Sequence, residues 1–391
     1  MSLHLSQALQ RIEASPTTAM TDRASELRDQ GRDIISLSVG EPDFDTPSHV
    51  IQAAKDALDA GDTRYTPVTG TARLKEAAAL HFQRDLGIST DPSQVIVTAG
   101  GKQAIFEALA ATVSASDEAI VPSPCWVSYP QMVRFCGGTV VPLRTSSANG
   151  YRFHPSELEA LITPRTNWLL LNSPVNPTGA VYPAEMLRGI GEVLRRHPQV
   201  LVMSDDIYAP LRYRDCPHAT LAVECPDLAE RIVTVSGVSK SHAMTGFRIG
   251  VATGPEWLIS AMGRLQSNSS GNPASISQAA AVAALEGPQD FLGQWRDTFR
   301  SRRDMVVQRI NAIEGLSTPV PDGAFYCLVD ASPLMDRFGG DDDKLALHLL
   351  DHGVATVAAS AFGGRDGFRI SFAAQEAVLA EALDRIEKAL T

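Results

Sequence analysis

The sequence predicts an α/β fold, a mostly parallel sheet covered by helices on both faces, with a smaller α+β unit beside it. Three observations carry this prediction. From Thr46 to about Leu285, short apolar runs alternate with amphipathic stretches of helical period, as expected of consecutive βα units. A chain of 391 residues exceeds one ordinary domain but suits a large α/β domain plus a smaller one, and 44% hydrophobic residues allow substantial cores. Groups capable of chemistry also stand just after successive apolar runs, where open α/β sheets bind their ligands.

In chain order, an N-terminal helix is expected from about Thr18 to Gln30, stopping at Gly31, with a strand from Ile34 to Ser38. Val95 to Val97 reads as a strand. Gly100, Gly101 and Lys102 follow it, and Gln103 through Ala111 reads as a helix starting at the glycines, whose amides could approach an anion at the positive end of the helix dipole. NWLLLNSPVNPTG places Asn172 and Asn176 at the end of another buried run, and LVMSDDIY does the same for Asp205 and Tyr208. RIVTV (231–235) leads into SGVSKSHAMTGFRIG (236–250), so Lys240 is expected in the loop at that strand's C-terminal end, with Arg248 shortly after. Beyond Pro288 a long arginine-rich helical stretch leads into the smaller unit. That unit has strands near Ala324 to Val329 and Phe368 to Phe372, a helix whose N-terminus is the Asp341 to Asp343 cluster, and a closing helix from Gln375. The expected division is a large domain, 46–287, and a small domain formed by both chain ends, 1–45 and 288–391. Val39 and Gly40 fall at the boundary, where backbone could touch substrate.

Each of these groups has an ordinary reading in isolation. A lone lysine is usually a solvated surface charge, a Gly-Gly pair a tight turn, N-P-T-G a turn with Pro177 setting φ, and Asp205 a helix cap. Those readings do not explain why an aspartate, an asparagine, a tyrosine, a lysine, an arginine and a glycine-rich anion cradle fall at equivalent places in consecutive βα units. The set fits one ligand, a phosphorylated pyridine aldehyde. Lysine becomes a covalent catalyst when it is held near a carbonyl and relieved of its proton.

In these motifs the chain resembles the fold-type I pyridoxal 5′-phosphate (PLP) enzymes and, within them, the class I/II aminotransferases, especially the prokaryotic aspartate aminotransferase subgroup. The resemblance runs essentially from Ser36 to the C-terminus through SVGEPDFDTP, RYTPVTG, TAGGKQA, CWVSYPQMVRF, NSPVNPTGAVYP, SDDIY, the Lys240 segment and FRISFA. It implies a PLP-dependent transferase fold and ping-pong transfer of an amino group from an L-amino acid to a 2-oxo acid. Lys240 would form the internal aldimine and move the α-proton. Asp205 would keep the pyridine nitrogen protonated, and Asn176 and Tyr208 would hydrogen-bond the phenolic oxygen. Trp126 would stack on the ring. Gly100, Gly101, Ser239 and Arg248 would hold the phosphate, with Tyr65 reaching over from a neighbouring subunit of a homodimer with shared active sites. Arg369 would clamp the substrate α-carboxylate in a planar bidentate pairing, with Gly40 beside it. Outside this context Trp126 is a core aromatic, Tyr65 a loop residue and Arg369 an ion-pair partner. Two positions depart from the common pattern. Val175 replaces a polar residue before N-P-T-G, and Gly237 stands where a serine often contacts phosphate; the adjacent Ser236 implies a slightly rearranged phosphate site.

Within that subgroup a lysine directly after the two glycines can meet the distal carboxylate of a dicarboxylic substrate. Lys102 matches it, and Thr17 or Ser15 could assist. Aspartate with 2-oxoglutarate is the leading pair; broader or aromatic donors stay open because loops define the pocket. Lys102 could instead face only phosphate or solvent.

Composition narrows the remaining classes. A net charge of −11 argues against nucleic acid, and no apolar run approaches the ~18 residues that span a bilayer. With no signal-peptide pattern at the N-terminus, a cytoplasmic protein is expected. Cys125, Cys136, Cys216, Cys225 and Cys327 show no CxxC pair and no metal spacing, so reduced thiols and no metal are expected, with Cys125 as small buried filler beside Trp126. A nicotinamide dehydrogenase would need G-x-G-x-x-G, which AGGKQA does not supply. A PLP-sensing transcription regulator would need a further DNA-binding domain. A PLP-dependent β-eliminating lyase would share every cofactor residue, and only its products distinguish it.

Overall fold

The computed structural model describes residues 4–213 and 218–391, so Cys216 lies outside the described residues. Among the described residues, twelve strands follow in chain order. They are β1 (Ile35–Ser36), β2 (Val95–Thr98), β3 (Glu118–Ser123), β4 (Thr139–Arg144), β5 (Thr166–Asn172), β6 (Leu201–Asp205), β7 (Ile232–Gly237), β8 (Gly250–Thr253), β9 (Tyr326–Asp330), β10 (Val354–Ala355), β11 (Val357–Ala358) and β12 (Gly367–Ser371).

Seven strands form the main sheet in the order β2-β8-β7-β6-β5-β3-β4. Every neighbouring pair is parallel except those of β8, which runs antiparallel to both β2 and β7. The inner strands β5, β6 and β7 are mostly apolar and buried because both faces are covered, whereas the edge strand β4 is largely exposed. Along β5, Trp168 and Leu170 enter one core, with Met203, Val233 and the helix residues Ala104 and Leu109. Leu169 and Leu171 point the other way, towards Leu187, Ile190 and Leu194 of the Ala184–Arg196 helix.

A three-stranded antiparallel sheet, β11-β12-β9, packs Tyr326, Phe368 and Ile370 against Phe299 and Val306 of the 23-residue Asp290–Ala312 helix and Leu379 and Leu383 of the Glu376–Leu390 helix. The predicted first strand is shorter than expected, because only β1 finds a partner, pairing in parallel with β10. That pairing ties the N-terminal segment to the last third of the chain. The first long helix starts at Pro16, two residues earlier than periodicity suggests, because Ser15 caps it by accepting from Thr18 N. Asp341 caps the Asp342–Asp351 helix, accepting from the amides of Asp343 and Lys344. Among the described residues, no helix is long and apolar enough to cross a membrane, and no group of His, Cys, Asp and Glu could hold a metal ion.

Candidate active site

Register brings the chemistry to one edge. Asn172 pairs with Asp205, and Asp205 with Val235, so β5, β6 and β7 end side by side. Because β8 is antiparallel, its first residue, Gly250, lies at that same edge beside Gly237 and Thr98, and Arg248 arrives there from the opposite chain direction. The approach is close: a Cβ on Gly250 would sit 2.2 Å from Gly101 N, and one on Gly100 would sit 2.3 Å from Arg248 Nη2. Gly100 adopts φ +89°, which L side chains rarely take. The Gly101–Thr112 helix therefore starts directly over this edge, at the glycines as expected.

A cavity of about 380 Å³ opens there, and the sequence-predicted Thr17, Gly40, Gly101, Lys102, Trp126, Asn172, Asn176, Asp205, Tyr208, Ser239, Lys240, Arg248 and Arg369 all line it. Lys240 is on a short helical turn, Val238–Ser241, rather than in the irregular loop expected. Its ammonium donates to Gly40 O at 2.7 Å. Burial lowers the Lys240 ammonium to about 8, with Arg248 and Arg369 pushing the same way and Glu41 and Asp205 opposing.

Asp205 and its neighbour Asp206 have opposite surroundings. Asp205 faces the cavity, accepting from Tyr129 Oη and from Ile207 N at 3.3 Å, and burial pushes its carboxyl up to about 6 against the pull of those two hydrogen bonds. Asp206 faces away, accepting from Ser204 Oγ and Thr220 Oγ1, both at 3.0 Å, with His218 Nε2 at 3.1 Å. Strand alternation separates the pair.

Arg369, in the middle of β12, is buried. It donates from Nη1 to Asn176 Oδ1 at 3.0 Å and from Nη2 to Ser38 O, while Nε has no hydrogen-bond partner. Burial lowers its guanidinium from the ordinary range. A buried guanidinium that lines the cavity and has no carboxylate partner among the described residues is arranged to receive a carboxylate. Asn176 is held from behind, its amide nitrogen donating to Asn172 Oδ1 at 2.8 Å. Lys102 Nζ stands 5.0 Å from the centre of the Trp126 ring, and burial, followed by Arg248, lowers its ammonium. Ser15 Oγ lies 2.8 Å from Thr17 Oγ1.

In the single chain Tyr65 is 98% exposed, and Gly100 stands just behind the cavity lining, against Arg248. One expectation needs correction. Ser236 does not rebuild the phosphate site. Its side chain is on the far face of β7, with Oγ 2.9 Å from His81 Nε2, and His81 Nδ1 is 2.6 Å from Asp85 Oδ2. Val175 packs into an apolar cluster with Leu171 and Tyr182, which accounts for its lack of polarity. Cys125 is buried and outside the cavity lining, its thiol pushed up to about 12 by burial.

Sequence reasoning missed Tyr129 and Tyr326. Tyr129 follows Trp126 by three residues, and the two rings meet edge to face at 5.2 Å. That spacing was the available signal. Tyr326 sits in a run, AFYCLV, that reads simply as a buried strand.

A lysine turn, a buried carboxylate, a guanidinium without a carboxylate partner among the described residues and a glycine-rich cradle at one cavity define a site for a phosphorylated aldehyde cofactor on an α/β scaffold. A family model described as aminotransferase class I and II matches residues 32–386. The aspartate/prephenate aminotransferase of Cereibacter sphaeroides is 48% identical over 390 residues, covering 98% of each chain. The aspartate aminotransferase of Rhizobium meliloti is 47% identical over 374 residues, covering 94% of this chain and 91% of that one. The crystal structure of an aspartate aminotransferase from Rhizobium meliloti superposes with a TM-score of 0.95 at 44% identity, covering 100% of this chain and 99% of the other, and the Thermus thermophilus aspartate aminotransferase with maleate gives 0.94 at 41% with both chains fully covered. The chain belongs to the class I and II aminotransferase family, and it is a PLP-dependent transaminase of fold type I. The residues present fit that cofactor. Gly100 and Gly250 leave no room for a Cβ where an anion would meet the cradle, and the groups around the cavity match the cofactor: amide, hydroxyl and guanidinium donors for a phosphate, the Asp205 carboxylate as acceptor for a pyridine N–H, and the Lys240 amine for an aldehyde.

Proposed function

We propose that this enzyme moves the amino group of L-aspartate to 2-oxoglutarate, with Lys240 as the proton carrier. The observation that carries the reading is the placement of Lys240, Asp205, Lys102 and Arg369 around one cavity. Bound PLP supplies an electron sink for the charge left when the α-proton departs. Gly100, Gly101, Ser239 and Arg248 hold its phosphate, Trp126 covers its ring, and Asp205 holds a proton on the pyridine nitrogen. Asn176 and Tyr208 donate to its phenolic oxygen. Lys240, its ammonium already lowered by burial, accepts and returns the α-proton. Arg369 orients the α-carboxylate, and Lys102, with Thr17 at the cavity mouth, meets the distal one.

We also read residues 46–287 as a large PLP-binding domain and 1–45 with 288–391 as the small domain, with the cavity at their junction. This fits the lining, which draws Thr17 and Gly40 from one end of the chain and Tyr326 and Arg369 from the other. We further read the enzyme as a cytoplasmic homodimer in which each Tyr65 completes the partner's phosphate site; the 98% exposure of Tyr65 in the single chain supports the shared site.

A second acceptor has support from the cavity walls. Val39 and Ile105 add apolar surface to the cavity lining, and relatives carry prephenate in their names. Comparing kcat/KM for 2-oxoglutarate and prephenate with aspartate as donor tests both. Product analysis with a donor that carries a β leaving group, such as cysteine, and no 2-oxo acid tests the class: pyruvate, ammonia and sulfide released catalytically would indicate a lyase.

A further inference from the structure

Tyr326 belongs to β9 in the three-stranded sheet, yet it touches groups held by the edge of the seven-stranded one. Its ring lies under the Arg369 guanidinium, 4.5 Å from Cζ, and Phe362 also lies within 4.7 Å of the same group. Its hydroxyl is 3.0 Å from Tyr208 Oη, with the two rings nearly perpendicular. It also stands against Gly40, where a Cβ would lie only 2.3 Å from Tyr326 Oη, and Gly40 carries the carbonyl that receives Lys240. One side chain therefore contacts the proposed carboxylate clamp, the proposed phenolic-oxygen donor and the backbone that holds the lysine.

We propose that Tyr326 is a positioning residue with two separable roles: its ring is the platform that aims Arg369, and its hydroxyl donates to Tyr208 Oη so that Tyr208 keeps its own proton for the cofactor. This rests on the reading of Arg369 and Tyr208 given above.

Proton counting supports the second role. A phenol has one proton to give, so in a pair of hydroxyls only one can donate to the other. If Tyr208 donated to Tyr326, nothing would remain for the phenolic oxygen of PLP. If Tyr326 donates, Tyr208 is free to do so, and accepting a hydrogen bond makes it a stronger donor. Burial raises both phenols above the ordinary tyrosine range, so both protons are retained through neutral pH. The first role follows from the surroundings of Arg369. With no carboxylate partner among the described residues, its orientation depends on two hydrogen bonds and on aromatic contact, a cation–π arrangement in a dry site.

Two substitutions separate the roles. Tyr326→Phe removes the hydroxyl and keeps the ring; Tyr326→Leu removes both. Two readouts on the holoenzyme avoid turnover: the pH midpoint of the visible absorbance of the lysine-bound cofactor, and the dissociation constant of maleate, an unreactive dicarboxylate, followed by the same absorbance. In Tyr326→Phe the midpoint rises by about half to one pH unit, since a weaker Tyr208 bond stabilises the phenolate less, while maleate affinity stays within about threefold. In Tyr326→Leu the midpoint rises equally and maleate binds about tenfold or more weakly. An unchanged midpoint in Tyr326→Phe overturns the hydroxyl role, and parental maleate affinity in Tyr326→Leu overturns the platform role. Phenylalanine preserves ring volume, so the hydroxyl test stands whether or not the leucine variant folds, and for the platform Phe362→Leu gives a second measurement, with weakened maleate binding expected. Controls distinguish failure of the underlying reading. If Arg369→Lys binds maleate as the parent does, Arg369 is not the clamp; if Tyr208→Phe leaves the midpoint unmoved, Tyr208 is not the donor.

Discussion

Asp205 and Asp206 are adjacent carboxylates that should fail in different ways. Asp205→Ala removes the group facing the pyridine position and should abolish most turnover, by about 10³-fold or more, with cofactor still retained through its phosphate. Asp206→Ala leaves Ser204, Thr220 and His218 without their buried acceptor and should lower stability by about 2–4 kcal/mol. Thermal melting and single-turnover assays on both variants check this; a larger loss of chemistry in the Asp206 variant would reverse the assignment. Lys102→Ala should reduce kcat/KM for aspartate about tenfold or more relative to alanine at saturating PLP. An equal fall for both donors would mean that Lys102 serves the cofactor and not the distal carboxylate.

The turn that carries Lys240 depends on the elements behind it. His242 is buried, with Nδ1 2.8 Å from Ser241 Oγ and its ring edge to face with Phe291. Burial, followed by the nearby His81, lowers His242 from 6.5 to about 4, so the fold favours the neutral ring. Its contribution to stability is therefore complete above the unfolded value near 6.5 and is lost as pH falls from there through about 4, at most about 3 kcal/mol. His242→Phe should flatten the acid side of the denaturation profile across that window, as measured by urea midpoints at successive pH values; an unchanged profile would place the acid sensitivity elsewhere. At the sheet edge, Gly250→Ala would drive a Cβ into the Gly100–Gly101 peptide and should weaken PLP retention by about tenfold or more, read by dialysis against apoenzyme.

These same elements show what a sequence can and cannot convey. β5, β6 and β7 were legible because each is a continuous apolar run that stops at a polar residue, and in parallel strands that stop marks the ligand edge. The direction of β8 was not legible, since GVAT reads alike either way, and so the arrival of Arg248 beside Gly100 had no local signal. Ser236 was misassigned because its proximity in sequence to the lysine conceals the alternation that turns it towards His81. Tyr129 and Tyr326 were hidden because a buried aromatic in an apolar run has the same pattern whether it packs or donates a hydrogen bond.

For the whole molecule, the proposed dimer makes a prediction that no single chain can satisfy. Mixing inactive Lys240→Ala protein with inactive Tyr65→Ala protein should restore activity after subunit exchange, because one site of the hybrid combines an intact Lys240 with an intact Tyr65. Verified hybrids without recovery would show that each site is complete within its own chain. The central claim, that Lys240 at this sheet edge runs amino transfer through PLP, is tested most directly by absorbance. Purified protein should show a visible cofactor band that aspartate bleaches and 2-oxoglutarate restores, with Lys240→Ala binding PLP but failing to cycle within about a thousandth of the parental rate. A band indifferent to both substrates, or a Lys240→Ala protein that cycles within tenfold of the parent, would contradict the account.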